Sequence, residues 1–364
     1  MPEVLSRRAL NRATLDRQLL LTRAGLPALE AIRHLYGIQA QAPNPPYVGL
    51  WTRLADFGHE ELAGLLRERR VVRLVLMRST IHLVAAEDCL TLRPLLRPML
   101  ERGLRGAHGR GLAGVDLEEL AAAGRALVEE RPLTFGELGR ALLERWPERG
   151  AADLVNGVRN TVALVQVPPR GVWGVGGQPA HTSAEAWLGR PLDGRARLPE
   201  MIRRYLAAYG PATVMDVQRW SGLTRLGEVV RGMGLRSFVT EGGARLVDLP
   251  DASRPDPEVP APVRYLSEFD NMLLSFGERT RGRIMADEYR GRVFTVNGII
   301  RATVLVDGFV RGLWRVVSGR GEAVLEVELF EPVGAREWEA LEAEGMRLLG
   351  FVAASAGVHG VRLV

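Results

Sequence analysis

HEELAGLLRERRVVRLVLMRSTIHLV, residues 59–84, decides the reading of the fold. HEELAGLLRERR is predicted as a helix starting at His59. VVRLVLMRSTIHLV is rich in β-branched residues and broken at Arg78-Ser79, so it is predicted as strand, tight turn and strand. Two helices are expected upstream. Ser6 caps the first, which the apolar spacing of LDRQLLLTRAG carries to Gly25, and LPALEAIRHLYG forms the second, ending at Gly37. Between them and His59 lies IQAQAPNPPYVGLW. Pro43, Pro45 and Pro46 restrict themselves and their preceding residues, so an ordered, extended turn is expected there. Three helices followed by a hairpin is the order of a winged helix, whose third helix usually enters a DNA groove. The same order also suits a three-helix unit whose hairpin serves only for packing.

The pattern returns twice. LEELAAAGRALVEE, FGELGRALLERW and ADLVNGVRNTVALV read as three helices, followed by an irregular hairpin in QVPPRGVWGVGG. PEMIRRYLAAYG, TVMDVQRWSG and LGEVVRGMG read as three more, followed by FVTEGGARLVDL with a Gly242-Gly243 turn. Three rough copies are a stronger signal than one. The proline-rich stretch 251–264 reads as a semi-rigid linker. Beyond it the chain is strand-rich, with turns at Asn297-Gly298 and Asp307-Gly308 and one amphipathic helix in REWEALEAEGMRLLGFV. A small β-barrel or curled sheet closed by a helix is expected. Domains are therefore placed at 1–108, 109–194, 195–255 and 256–364.

The 364 residues are 46% hydrophobic and 25% charged, enough for a large core. No apolar run approaches the roughly 18 residues of a membrane span, and the N-terminus has no apolar signal region. A cytoplasmic, nucleoid-associated location is expected. One cysteine, Cys89, excludes an internal disulfide and a multi-cysteine metal cluster. All 48 basic residues are arginine and the net charge is +5. Arginine stays protonated and forks onto phosphates, which suits a polyanionic partner, but it offers no amine nucleophile. Side-chain Schiff-base chemistry is excluded, leaving the terminal amine as the sole substitute. Gly109 and Gly111 in GAHGRGLAG do not make a phosphate loop, because no lysine follows.

Five segments carry a resemblance. LYGIQAQAPNPPYVGLW, LMRSTIHLV, YLAAYGPATVMDVQRWSGL, LSEFDNMLLSFGERTR and NGIIRATVLVDGFVRGLWR occur in this order. Together they resemble the AlkZ/YcaQ family of winged-helix DNA glycosylases across nearly the whole chain. The resemblance implies an α+β fold of three tandem winged-helix domains in a C-shaped arrangement, followed by a C-terminal β-barrel-like domain. It implies excision of alkylated bases, notably N7-alkylguanine, by a monofunctional enzyme, with interstrand crosslinks and self-resistance to a genotoxic natural product within the family's range. The Gln-x-Gln motif of the AlkZ-like branch matches Gln39 and Gln41.

Two amides suffice for such a reaction. N7-alkylguanine is already cationic and leaves neutral, so no strong acid is needed; the barrier is formation of an oxocarbenium-like sugar and delivery of water. Residues i and i+2 of an extended segment point the same way, so Gln39 and Gln41 would aim at one point while Ala40 faces the protein. Neither cofactor nor metal is required. Arg78, Thr80, His82 and Asn271 are expected to support the site or bind DNA. Arg301 and Arg311 flank the Asp307-Gly308 turn, which is read as either a groove-inserting hairpin or an ordinary turn. Asp270 is read as a helix cap or site neighbour, not as a general base. The expected partner is double-stranded DNA with alkylated or crosslinked bases, bound by a monomer, with no membrane. A non-catalytic winged-helix regulator is the alternative; a nuclease is disfavoured, because no Asp/Glu/His cluster has two-metal spacing.

Overall fold

The computed structural model describes residues 2–195 and 197–364. Met1, which holds the terminal amine, and Ala196 lie outside them. The fold is mixed α+β, built on three open sheets. Among the described residues no helix is long and apolar enough to cross a membrane.

The hairpin read from residues 71–84 is present as strands Val71–Val75 and Ile81–Ala85. It does not stand alone. Ile81–Ala85 pairs with Ile38–Gln39 on one side, and Val71–Val75 pairs with Leu164–Gln166 on the other. Ala180–Ser183 and Leu133–Thr134 complete a six-stranded sheet, so the hairpins of the first two units are continuous. The third unit's strands, Arg236–Thr240 and Arg245–Asp248, join the N-terminal strand Glu3–Leu5 in a separate sheet.

Ser6 caps the first helix by accepting from the Ala9 amide. That helix, Arg7–Arg17, ends earlier than expected: Leu19 takes a left-handed φ of 57°, so the apolar run LDRQLLLTRAG does not reach Gly25 as helix. The prolines after Gln41 are also corrected. Pro45 and Pro46 open a helix, Pro45–Trp51, where their fixed φ and missing N–H cost nothing. Residues 86–108, unassigned from sequence, form a single helix in spite of Pro94 and Pro98. A buried stripe of Leu92, Leu96, Leu100 and Leu104 holds it down.

The proline-rich linker is ordered by arginine. Its carbonyls have no strand partner, and the first helix supplies donors: Arg8 Nε to Pro257 O at 2.8 Å, Arg12 Nε to Val259 O at 2.7 Å and Arg17 Nη2 to Ser253 O at 2.9 Å. Beyond it, Arg264–Leu266, Thr303–Val306, Phe309–Gly319, Glu322–Leu329 and Val358–Leu363 form an open five-stranded sheet, correcting the expected barrel. The last strand enters parallel to its neighbour through a crossover helix, Ala335–Val352. That helix covers the sheet, with Gly345 against Leu325, Val361 and Tyr265, so closure is unnecessary. One apolar core runs through the first unit, the third unit and this sheet; a second lies between residues 104 and 164.

Candidate active site around Gln39 and Gln41

The helix Ala28–Leu35 stops on Tyr36, which is left-handed (φ 55°), and Gly37 follows at φ 102°. Only glycine fits at 37: a Cβ there would lie 2.7 Å from Val84 Cγ1. This tight approach seats Ile38–Gln39 against Ile81–Ala85, with Gln39 opposite His82. Ala40 is the clamp. Its side chain is fully buried, its N–H donates to Ile81 O at 2.7 Å, and its carbonyl accepts from Arg73 Nη2 at 2.8 Å.

The two glutamines flank that clamp in different surroundings. Gln39 is buried and its Oε1 accepts from Arg78 Nη2 at 2.8 Å. Gln41 is exposed and its Oε1 accepts from the Ile81 amide at 3.1 Å. Because both partners are donors, each contact fixes which amide atom is oxygen. Each carbonyl keeps a second lone pair, and among the described residues neither amide nitrogen donates to protein. Both amides are therefore oriented and retain capacity for water or substrate.

Arg78, Thr80 and His82 lie beside Gln39. Arg78 (φ 56°) and Ser79 (φ 58°) turn the hairpin in left-handed backbone, a cost of roughly 1 kcal/mol each for residues with a Cβ. The turn places the Arg78 guanidinium between two elements: Nη2 holds Gln39 and Nη1 donates to Trp220 O at 2.7 Å in the third unit. No carboxylate pairs with it among the described residues, and burial lowers its pKa to about 10. Thr80 Oγ1 donates to Met77 O at 3.0 Å and braces the same turn. His82 Nδ1 lies 3.0 Å from Thr80 O and Nε2 lies 3.4 Å from Arg78 Nη2. Arginine only donates, so Nε2 is the acceptor and Nδ1 carries the proton. Burial, reinforced by the Arg78 charge, pushes His82 down to about 3. It is a neutral brace at physiological pH, unable to act there as an acid.

Asn271 reaches the site from the far end of the chain. Its Nδ2 donates to Gly37 O and to Tyr209 Oη, both at 2.9 Å, and so holds the turn that launches Ile38–Gln39. Its neighbour Asp270 caps a short helix and pairs bidentately with Arg53 at 2.7 and 2.8 Å, both side chains being buried. Arg301 and Arg311 are not brought to the glutamines. Arg301 is exposed beside Glu268 and Trp314, and Arg311 is ion-paired with Glu331. The Asp307-Gly308 turn packs inward: Asp307 pairs with Arg8 and Arg12, and a Cβ on Gly308 would meet Asn11, Leu15 and Arg12. It is the ordinary packed turn rather than the groove-inserting hairpin. Sequence reasoning passed over Arg73, which is fully buried, holds Ala40, donates to Gln166 Oε1 at 3.2 Å and has its pKa lowered to about 10 by burial. Its signal was a lone charge inside the apolar strand V-V-R-L-V. Among the described residues no three His, Cys, Asp or Glu side chains are grouped to hold a metal.

The sequence profile described as "DNA glycosylase AlkZ-like" matches residues 32–351. The chain is 26% identical over 324 residues to an "Interstrand DNA cross-link repair glycosylase" of Streptomyces sahachiroi, covering 84% of this chain and 86% of the relative. Its fold is similar to the solved structure of Streptomyces sahachiroi DNA glycosylase AlkZ, with a TM-score of 0.79 and 23% identity over 99% of this chain and 100% of the other.

Proposed function

Because the chain belongs to the AlkZ-like DNA glycosylase family, we propose that it hydrolyses the N-glycosidic bond of N7-alkylguanine and other bulky alkylated purines in double-stranded DNA. Interstrand crosslinks fall within the same chemistry, since each linked purine is again a cationic leaving group. The enzyme acts as a monofunctional glycosylase and as a monomer. Its three units, near 1–108, 109–194 and 195–255, are winged helices curved around the duplex. The observation that carries this reading is the pair of amides held on either side of a doubly bonded, buried Ala40.

The reaction asks little of the protein beyond orientation. The alkylated base departs with the bonding electrons and becomes neutral. Positive charge then develops on the sugar, and one water attacks C1′ and loses a proton to bulk solvent. Gln41, exposed and without a cation on its carbonyl, is the amide that meets this water and faces the developing charge. Gln39 shares the task while Arg78 fixes its rotamer. Arg78 takes one lone pair of the Gln39 oxygen and leaves the other for water. The test is a duplex carrying one N7-methylguanine. The expected products are free base and an abasic strand that breaks only on alkali treatment. Saturated binding without base release would overturn the reading, and tight preference for a defined operator would replace it with a regulator.

A further inference from the structure

Gln41 belongs to an arch with two feet. The first foot is Ala40, held between Ile81 O and Arg73. From Ala42 to Pro46 the chain makes no hydrogen bond to another element among the described residues. The next polar anchor is Tyr47, whose side chain is fully buried. Its hydroxyl donates to Gly171 O at 2.9 Å and accepts from the Trp173 amide at 3.1 Å. Both partners lie in the loop that joins Leu164–Gln166 to Ala180–Ser183 in the second unit. The two feet therefore rest on different parts of the chain.

That loop is itself fixed. Trp173 packs edge-on against Tyr47, ring centroids 5.3 Å apart, and leans on His59 at 4.3 Å and Phe351 at 5.8 Å. Gly171 has a φ of 95°, and a Cβ there would lie 2.6 Å from Arg73 Cδ. The loop thus crosses the arginine that holds Ala40. The contacts close a ring: Ala40 to Arg73, Arg73 to Gly171, Gly171 to Tyr47, and back along the chain through Gln41. Those four fixed members are buried, whereas Gln41 and Asn44 on the arch are exposed. Burial pushes the Tyr47 hydroxyl up to about 12, so it keeps its proton and remains a donor. Gln39 does not need this second foot: it lies before Ala40, in the paired strand, and Arg78 holds its carbonyl. We propose that Tyr47 is a positioning residue for Gln41, its hydroxyl fixing the far end of the segment that carries the exposed amide. The second unit thereby takes part in the chemistry, since its loop supplies both partners of that hydroxyl. The inference rests on the glycosylase reading above.

Tyr47→Phe removes one oxygen and keeps the ring in the core. The substitution is made in the wild-type protein, in Gln41→Ala and in Gln39→Ala, and each protein is given, at saturating enzyme, a duplex with one N7-methylguanine. Rates are compared at equal folded fraction, measured by near-ultraviolet circular dichroism, so that any instability of Tyr47→Phe does not enter. The expected result is a loss of about tenfold in single-turnover rate for Tyr47→Phe alone, with the Kd for duplex changed less than about twofold. In Gln41→Ala the same substitution should cost less than about twofold, because the amide it positions is gone, and in Gln39→Ala it should again cost about tenfold. A full rate in Tyr47→Phe, a loss confined to Kd, or a tenfold loss that persists in Gln41→Ala would each overturn the positioning role alone. Release of no base by the wild type would instead overturn the glycosylase reading, and the positioning role with it.

Discussion

Replacing Arg78 separates orientation from folding. Its guanidinium reaches in different directions, 2.8 Å to Gln39 Oε1 and 2.7 Å to Trp220 O, with a longer contact of 3.4 Å to His82 Nε2. A lysine ammonium at the same backbone position lacks the fork needed to span both. A hydrogen bond from a charged donor contributes about 1.5–3 kcal/mol. If the Gln39 orientation is needed in full at the transition state, its loss slows base release by roughly 10- to 100-fold. Stability moves less. Arg78 has no carboxylate partner among the described residues and is desolvated, as its pKa of about 10 reflects, so Arg78→Met gives up the bonds to Gln39 and Trp220 and the longer one to His82 but removes a buried charge. The left-handed backbone strain is common to arginine, lysine and methionine. We therefore expect Arg78→Met and Arg78→Lys both to lose single-turnover rate at saturating enzyme, with denaturation midpoints displaced by no more than about 1 kcal/mol. A full rate in Arg78→Lys would refute the bridging argument. A rate loss that tracks a fall in folded fraction would refute it equally.

Other outcomes follow from the same contacts. Arg73→Met removes the donor from the Ala40 carbonyl; single-turnover release should fall about tenfold with lesion affinity unchanged, and a change confined to affinity would contradict the clamp. Asp270→Asn leaves the Arg53 cation buried without its partner and should cost about 3–5 kcal/mol in urea denaturation, whereas Asp270→Asn with Arg53→Met should recover much of it. Acid sensitivity should begin above the carboxylate range. Burial lowers His82 to about 3 and His181 to about 4, while the unfolded side chains titrate near 6.5. Between those values the unfolded chain binds protons that the native one does not, so stability falls as pH drops from about 6.5, approaching 1.4 kcal/mol per pH unit for each histidine. His82→Gln should make that slope shallower by one histidine's share between pH 6.5 and 5.5, and an unchanged slope would rule out a neutral His82.

The local elements were legible because local chemistry writes them. β-Branched residues broken by Arg78-Ser79 gave the hairpin, and Ser6 gave the first cap. The i, i+2 spacing of Gln39 and Gln41 placed them on either side of a buried Ala40, and the family motifs pointed to Arg78, His82 and Asn271 as its surroundings. What escaped was set by distant partners. Nothing local to Val71–Val75 says that it will pair with Leu164–Gln166, and so the joining of two hairpins into one sheet was invisible. The open C-terminal sheet depended on a parallel crossover, which alternation alone does not encode. Arg301 and Arg311 were assigned from their place in sequence beside a turn that packs inward. Arg73 was passed over because a buried arginine acquires its meaning only from the carbonyl it meets.

In the proposed reaction two clamped amides, not an acid, carry the chemistry. Single-turnover release of N7-methylguanine by the wild type and by Gln39→Ala/Gln41→Ala, with DNA binding measured in parallel, tests it most directly. Rapid release is expected from the wild type, with a loss of at least about 100-fold in the double variant at nearly unchanged affinity for the duplex. Undiminished release by the double variant would contradict it.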